Sequence, residues 1–109
     1  MNFKDALDLM VEHNASDLFI RSGGPLRGRV YTDVKVIGDE DLSVEDVDSM
    51  ISEMLDDDRR ESLRNNKSCE FAVWHGDRWR FRIGIFYQRN TLSAVIRKID
   101  LNIPTFAEL

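Results

Sequence analysis

The stretch "RWRFRIGIFYQRNTLSAVIRKI", residues 78 to 99, constrains the fold more than any other part of the chain. Alternation with period two on both sides of a short polar break marks two antiparallel strands joined by a tight turn. If the turn centres between Arg89 and Asn90, then Ile83 faces Ile96, Ile85 faces Ala94 and Tyr87 faces Leu92, stacking three apolar pairs on one side. The other side then sets Gly84 against Val95, Phe86 against Ser93 and Arg82 directly against Arg97. Two like charges opposite each other cost from a few tenths to about 1 kcal/mol unless something neutralises them. An approaching anion would do so, and so would nearby acids, for which Glu70 and Asp77 are the local candidates.

The rest of the chain must supply what covers the apolar side. Phe3, Ala6, Leu7, Met10 and Val11 have amphipathic-helix spacing, with Asn14 closing the helix. Ser43 is a good N-cap for a second helix, with Asp46 at its third position and Val44, Val47, Met50, Ile51, Met54 and Leu55 along its buried face. The run "DDDRRESLRNN" predicts a third, short helix that starts at the aspartates, where negative charge suits the helix dipole. Between the first two helices, strands are expected at Asp17 to Arg21, Arg29 to Tyr31 and Val34 to Ile37, with a break at Gly23, Gly24 and Pro25 and a turn at Thr32 and Asp33. From Cys69 onward the pattern is strand, turn, strand, turn, strand. The fold class is α+β, a mainly antiparallel sheet with two to three helices on one face.

At 109 residues the chain reads as one domain, residues 1–109, and its hydrophobic share of 42% fits one globular core. The net charge of −5 argues against a dedicated nucleic-acid or anionic-membrane surface. The charges are nonetheless segregated. Acids gather between Asp39 and Glu61 and bases between Arg59 and Lys98, which leaves the carboxyl-terminal half locally basic. Nothing resembles a signal peptide or a membrane span, and the reading is cytoplasmic. Cys69 is expected as a buried strand residue; with only His13 and His75 beside it, no zinc site of ordinary spacing can be drawn.

Catalytic motifs are missing. "RSGGPLRGR" lacks the lysine and hydroxyl of a phosphate-binding P-loop, and no nucleophile elbow is present. His13 reads as a helix-end residue and His75 as a turn residue. Trp74 and Trp79 flank the "HGDR" turn, where they can pair across the strands or mark an interface. The chain by itself is not expected to be an enzyme.

"ASDLFIRSGGP" with Arg29 and Asp33 downstream, then "FRIGIFYQRN", "VIRKI" and "NIPTFAEL", resembles the amino-terminal domain of the type IV pilus retraction ATPases, the PilT and PilU group of the secretion ATPase superfamily. "SDLFI", "FYQRN" and "NIPT" are closer to the PilU branch. Leu26, Thr32 and Gly84 depart from the usual pattern, which has a second proline, a turn glycine and a polar residue at those places. The resemblance implies a PAS-like domain preceding a RecA-like ATPase domain in a homohexameric motor, and hence a fragment that ends where an interdomain linker begins. It further implies ATP and magnesium in the full-length protein, with none expected on this fragment. Partners would be the chain's own ATPase domain and neighbouring subunits, a paralogous pilus ATPase and the inner-membrane platform protein, at whose machine the motor would sit; no nucleic acid is implied. Carried over by position, Arg82 in "FRI" and Arg97 in "VIRK" would reach the nucleotide phosphates, with Arg89 in "YQRN" a third candidate. Two other readings stay open on the residues: a free-standing PAS-like ligand or signal sensor, and an interaction module of a type II secretion or conjugation ATPase.

Overall fold

The computed structural model describes residues 1–100. Three helices and six strands follow in the order α1 (Phe3–Glu12), β1 (Asp17–Ile20), β2 (Gly24–Val30), β3 (Asp33–Leu42), α2 (Val44–Ser52), α3 (Asp57–Asn66), β4 (Ser68–His75), β5 (Trp79–Gln88) and β6 (Thr91–Asp100). The strands form one antiparallel sheet in the order β3-β2-β1-β6-β5-β4. The α+β expectation holds. The "NIPTFAEL" motif lies outside the described residues.

Local chemistry explains the helix boundaries. Asn2 caps α1 by accepting from the Asp5 amide at 2.8 Å while the Asp5 carboxylate accepts from the Asn2 amide at 3.2 Å. Ser43 and Asp46 make the same reciprocal box at α2, with contacts of 3.0 and 2.9 Å, each satisfying donors that a helix start leaves unpaired. The amide and hydroxyl contacts from Ser43 hold the Asp46 carboxyl below its ordinary pKa. Asp56 caps α3, and Lys67 ends it in the left-handed region at φ 63°. Helix α1 closes one residue earlier than expected, with His13 as its C-cap and Asn14 following at φ 54°. Val44 is exposed rather than on the buried face of α2, because the first residue of the helix precedes the turn that meets the sheet.

One face of the sheet is buried under the helices. Leu18, Ile20, Phe81, Ile83, Ile85, Ala94 and Ile96 from the strands meet Ala6, Leu7, Met10, Val47, Met50 and Ile51 from α1 and α2 in a single core. Helix α3 adds only Leu63 and is held further by Arg59, whose guanidinium carbon lies 3.9 Å from the centre of the Phe71 ring. All three helices and the whole sheet share this core, so the domain closes on itself.

The last hairpin has the expected register: Ile83 faces Ile96, Ile85 faces Ala94, Tyr87 faces Leu92 and Arg82 faces Arg97. Its turn is the pair Arg89 and Asn90, both at positive φ (54° and 67°), the backbone that matches a two-residue hairpin to the strand twist. Strands β2 and β3 are longer than expected, whereas β1 stops at Ile20, one residue short of the expected Arg21. Pro25 lies within β2, at a register shift between Pro25 and Arg27, where a residue without an amide donor is tolerated. Strand β3 continues through the acidic "GDED" segment to Leu42. As the outermost strand in the sheet order, it can carry charge into solvent.

Candidate anion-binding site

Among the described residues the second face of the sheet carries no helix, and its side chains come from alternate positions of the same strands. Strand β1 sits between β2 and β6, and this adjacency aligns one cross-strand row: Arg29, Asp17, Arg97, Arg82 and Ala72, from β2, β1, β6, β5 and β4. Directly opposed residues have Cα atoms about 4.5–5.5 Å apart. Three guanidiniums are therefore drawn up beside one carboxylate.

Asp17 is the charged group that organises the row, and it is buried. Its Oδ1 accepts from Arg97 Nε at 3.1 Å. Its Oδ2 accepts from the Ser16 hydroxyl at 2.9 Å and lies 3.6 Å from Arg29 Nε. Arg97 is held through Nε only, which leaves its terminal guanidinium nitrogens facing solvent; its side chain is 71% exposed. Arg82 has no carboxylate partner among the described residues and is exposed. Formally, the row keeps two positive charges that no acid offsets. Arg80, two residues back along β5 and about 7 Å away on the same face, is likewise exposed and unpaired among the described residues. Asp17, Glu70, Arg80, Arg82, Gly84 and Arg97 contribute to an open concavity of about 540 Å³.

The structure thus corrects the local neutralisation expected from Glu70 or Asp77. Neither pairs with these arginines among the described residues; the carboxylate is Asp17, 80 residues from Arg97 in sequence. Arg82 and Arg97 are brought together as expected, but Arg89 is not with them. It stands at the hairpin tip, ~23 Å from Arg82 at the usual strand rise. Trp74 and Trp79 do not pair. Trp74 lies opposite Arg80 on the open face and is 64% exposed, while Trp79 lies opposite His75 on the helix side. His75 Nε2 meets Asp8 Oδ1 of α1 at 2.9 Å, a contact that ties the β4–β5 turn to the first helix.

A second basic cluster surrounds Trp79. Arg78 makes two bonds to the Asp100 carboxylate, at 3.0 and 2.6 Å, and its guanidinium carbon is 4.5 Å from the Trp79 ring centre. The bond to Asp100 raises the pKa of Arg78. Lys98 Nζ lies 4.4 Å from the centre of a Trp79 ring and 3.2 Å from Asn14 Oδ1; burial lowers its pKa.

No family model matches the chain. The chain is 38% identical over its full 109 residues to the type IV pilus ATPase PilU of Pseudomonas aeruginosa, of which it covers 28%. Over the same residues it is 32% identical to the uncharacterized protein YggR of Escherichia coli K12, of which it covers 32%. The crystal structure of the pilus retraction motor PilT with bound ADP superposes on the whole chain with a TM-score of 0.88 at 26% identity, the match taking in 32% of that protein. The chain is an amino-terminal domain of the PilT/PilU type. It spans about a third of the length of these relatives. The Legionella pneumophila ATPase DotB shares the fold, with a TM-score of 0.73 at 22% identity over 96% of the chain. Among PilT/PilU-type features, Asp17 of the "ASDLFI" motif and Arg29 downstream of it are the ones whose place beside Arg97 emerges only with the strand order.

Proposed function

We propose that this domain works in a hexameric ATP-driven motor that retracts type IV pili. Arg82 and Arg97 then meet the phosphates of a nucleotide held between this domain and a following ATPase domain, and coupling nucleotide state to domain movement is part of the role. The observation that carries the reading is the central row, where Asp17 orients Arg97 while Arg82 and the outer edge of Arg97 keep charge that the domain does not neutralise. A guanidinium fork suits phosphate oxygens in geometry as well as sign. The PilT relative was solved with ADP, which supports the ligand class. Among the described residues no group of three or more His, Cys, Asp or Glu side chains is placed to hold a metal ion, so in this reading magnesium is held by the ATPase domain. The bound nucleotide would supply the hydrolysable phosphate; this chain's part is to position and stabilise charge. Arg89, at the hairpin tip and remote from the pair, has no part in that phosphate contact in this reading.

The test is turnover of the full-length protein with Arg82→Ala. Loss of a charge-assisted contact to a preorganised phosphate lowers the rate on the order of 10²–10³-fold. Normal specific activity in a folded variant would sink the phosphate role.

A further inference from the structure

Four of the six glycines are explained by the domain's own packing or backbone. Gly23 and Gly76 adopt positive φ, at Gly28 and Gly38 an added Cβ would run into Ile37 and Leu26, and at Gly24, the first residue of β2, it would only brush the movable end of Arg27 at 3.0 Å. Gly84 is different. It sits in mid-strand on β5, where glycine weakens a strand and often marks a bulge, a bend or the close approach of something else. Pairing runs without a register shift through Gly84 on both sides, against Glu70 and Val95. Its φ is not positive. A Cβ there would meet nothing nearer than the Val95 carbonyl oxygen at 4.0 Å, so no neighbouring ring or chain leans over it.

The position gives the reason. Gly84 lies on the open face two residues from Arg82, diagonal to Arg97, and lines the same concavity as Arg80, Arg82 and Arg97. A missing side chain at that point leaves bare strand backbone as the floor beside Arg82, which no carboxylate partners among the described residues, and the solvent-facing end of Arg97.

We infer that Gly84 is the contact floor of the anion site: a phosphate group held by Arg82 and Arg97 comes down onto the β5 backbone at Gly84. This inference rests on the phosphate reading of the arginine pair. The occupant is a compact multivalent oxyanion, because Arg80, Arg82 and Arg97 outnumber Asp17 and Glu70, the carboxylates that line the same concavity. A β-branched residue at 84 would fill the floor and lift the anion beyond the 2.7–2.9 Å at which a guanidinium bonds an oxyanion well.

The test uses this chain, whose core closes without a further domain, and inorganic triphosphate as the probe, titrated at low ionic strength and followed by amide shifts. Gly84→Val should melt no earlier than wild type, since valine suits a strand better than glycine, yet bind triphosphate about tenfold more weakly, a difference easily resolved in dissociation constant. Arg82→Ala should weaken binding as well. Should Gly84→Val melt early, Gly84→Ala carries the comparison, its one methyl entering open space. Unchanged affinity in the glycine variants beside a loss in Arg82→Ala overturns the floor and leaves the arginine pair standing. Absence of saturable binding by wild type also overturns it, whereas the phosphate reading itself is decided separately by turnover of the full-length Arg82→Ala protein.

Discussion

Arg78 and Lys98 on one side of the β5–β6 hairpin, and Arg82 and Arg97 on the other, are the same kinds of residue within a few positions of one another, and the fold treats them in opposite ways. The Arg78 cluster is consumed internally: Asp100 takes the guanidinium in two bonds, Trp79 receives both cations, and Asn14 takes the lysine. The Arg82 row has one carboxylate, already shared by Arg97 and Arg29, and Arg82 is left over. A basic residue on a strand is therefore no guide to a site. What distinguishes the two clusters is the charge remaining after the domain's own acids and rings have been assigned.

The comparison is broken most severely by removing the one acid on the open face's central row. Asp17→Ala leaves three guanidiniums aligned without a counter-charge and the Ser16 hydroxyl with only the longer contact to the Arg29 carbonyl oxygen at 3.4 Å, and should cost about 1–3 kcal/mol. Denaturant melts of the chain would read this directly, and a loss near zero would mean that the row is already screened by solvent. Arg78→Ala should come next. It forfeits the paired bonds to Asp100 and the contact with Trp79, so a clear fall in melting temperature is expected, smaller than that of Asp17→Ala because the side chain is exposed and solvent screens the pair. Equal melting of Arg78→Ala and wild type would erase the distinction between consumed and reserved cations.

How much of this was legible in the sequence varies with the range of the interaction. The hairpin register could be read because two independent faces and a two-residue turn all had to agree, and only one pairing satisfies them. Arg82 opposite Arg97 followed from that alone. Asp17 could not be assigned to Arg97, since β1 becomes the neighbour of β6 only through the order of the whole sheet, and nothing local at residue 17 announces it. The sequence pattern ends strand β3 early because its acidic tail lacks the apolar alternation of a half-buried strand; as an outer strand it does not need it. The mistaken pairing of Trp74 with Trp79 came from symmetry about the turn, whereas the true register sets each of them opposite a different residue and on a different face. Gly84 stood out in sequence only as a departure from a family pattern, and its meaning required the empty space above it.

The smallest effect is also the most direct test, because it asks whether Arg82 is truly surplus to the fold. Arg82→Glu, followed by equilibrium unfolding of the chain at low salt, replaces a like-charge cross-strand pair by an opposite-charge one facing Arg97. If the pair is uncompensated and held for an anion, the variant should be as stable as wild type or more stable by roughly 0.5 kcal/mol, with the gain fading as added salt screens the charges. A variant less stable than wild type by 1 kcal/mol or more would show that Arg82 is already tied into the domain and would contradict the account.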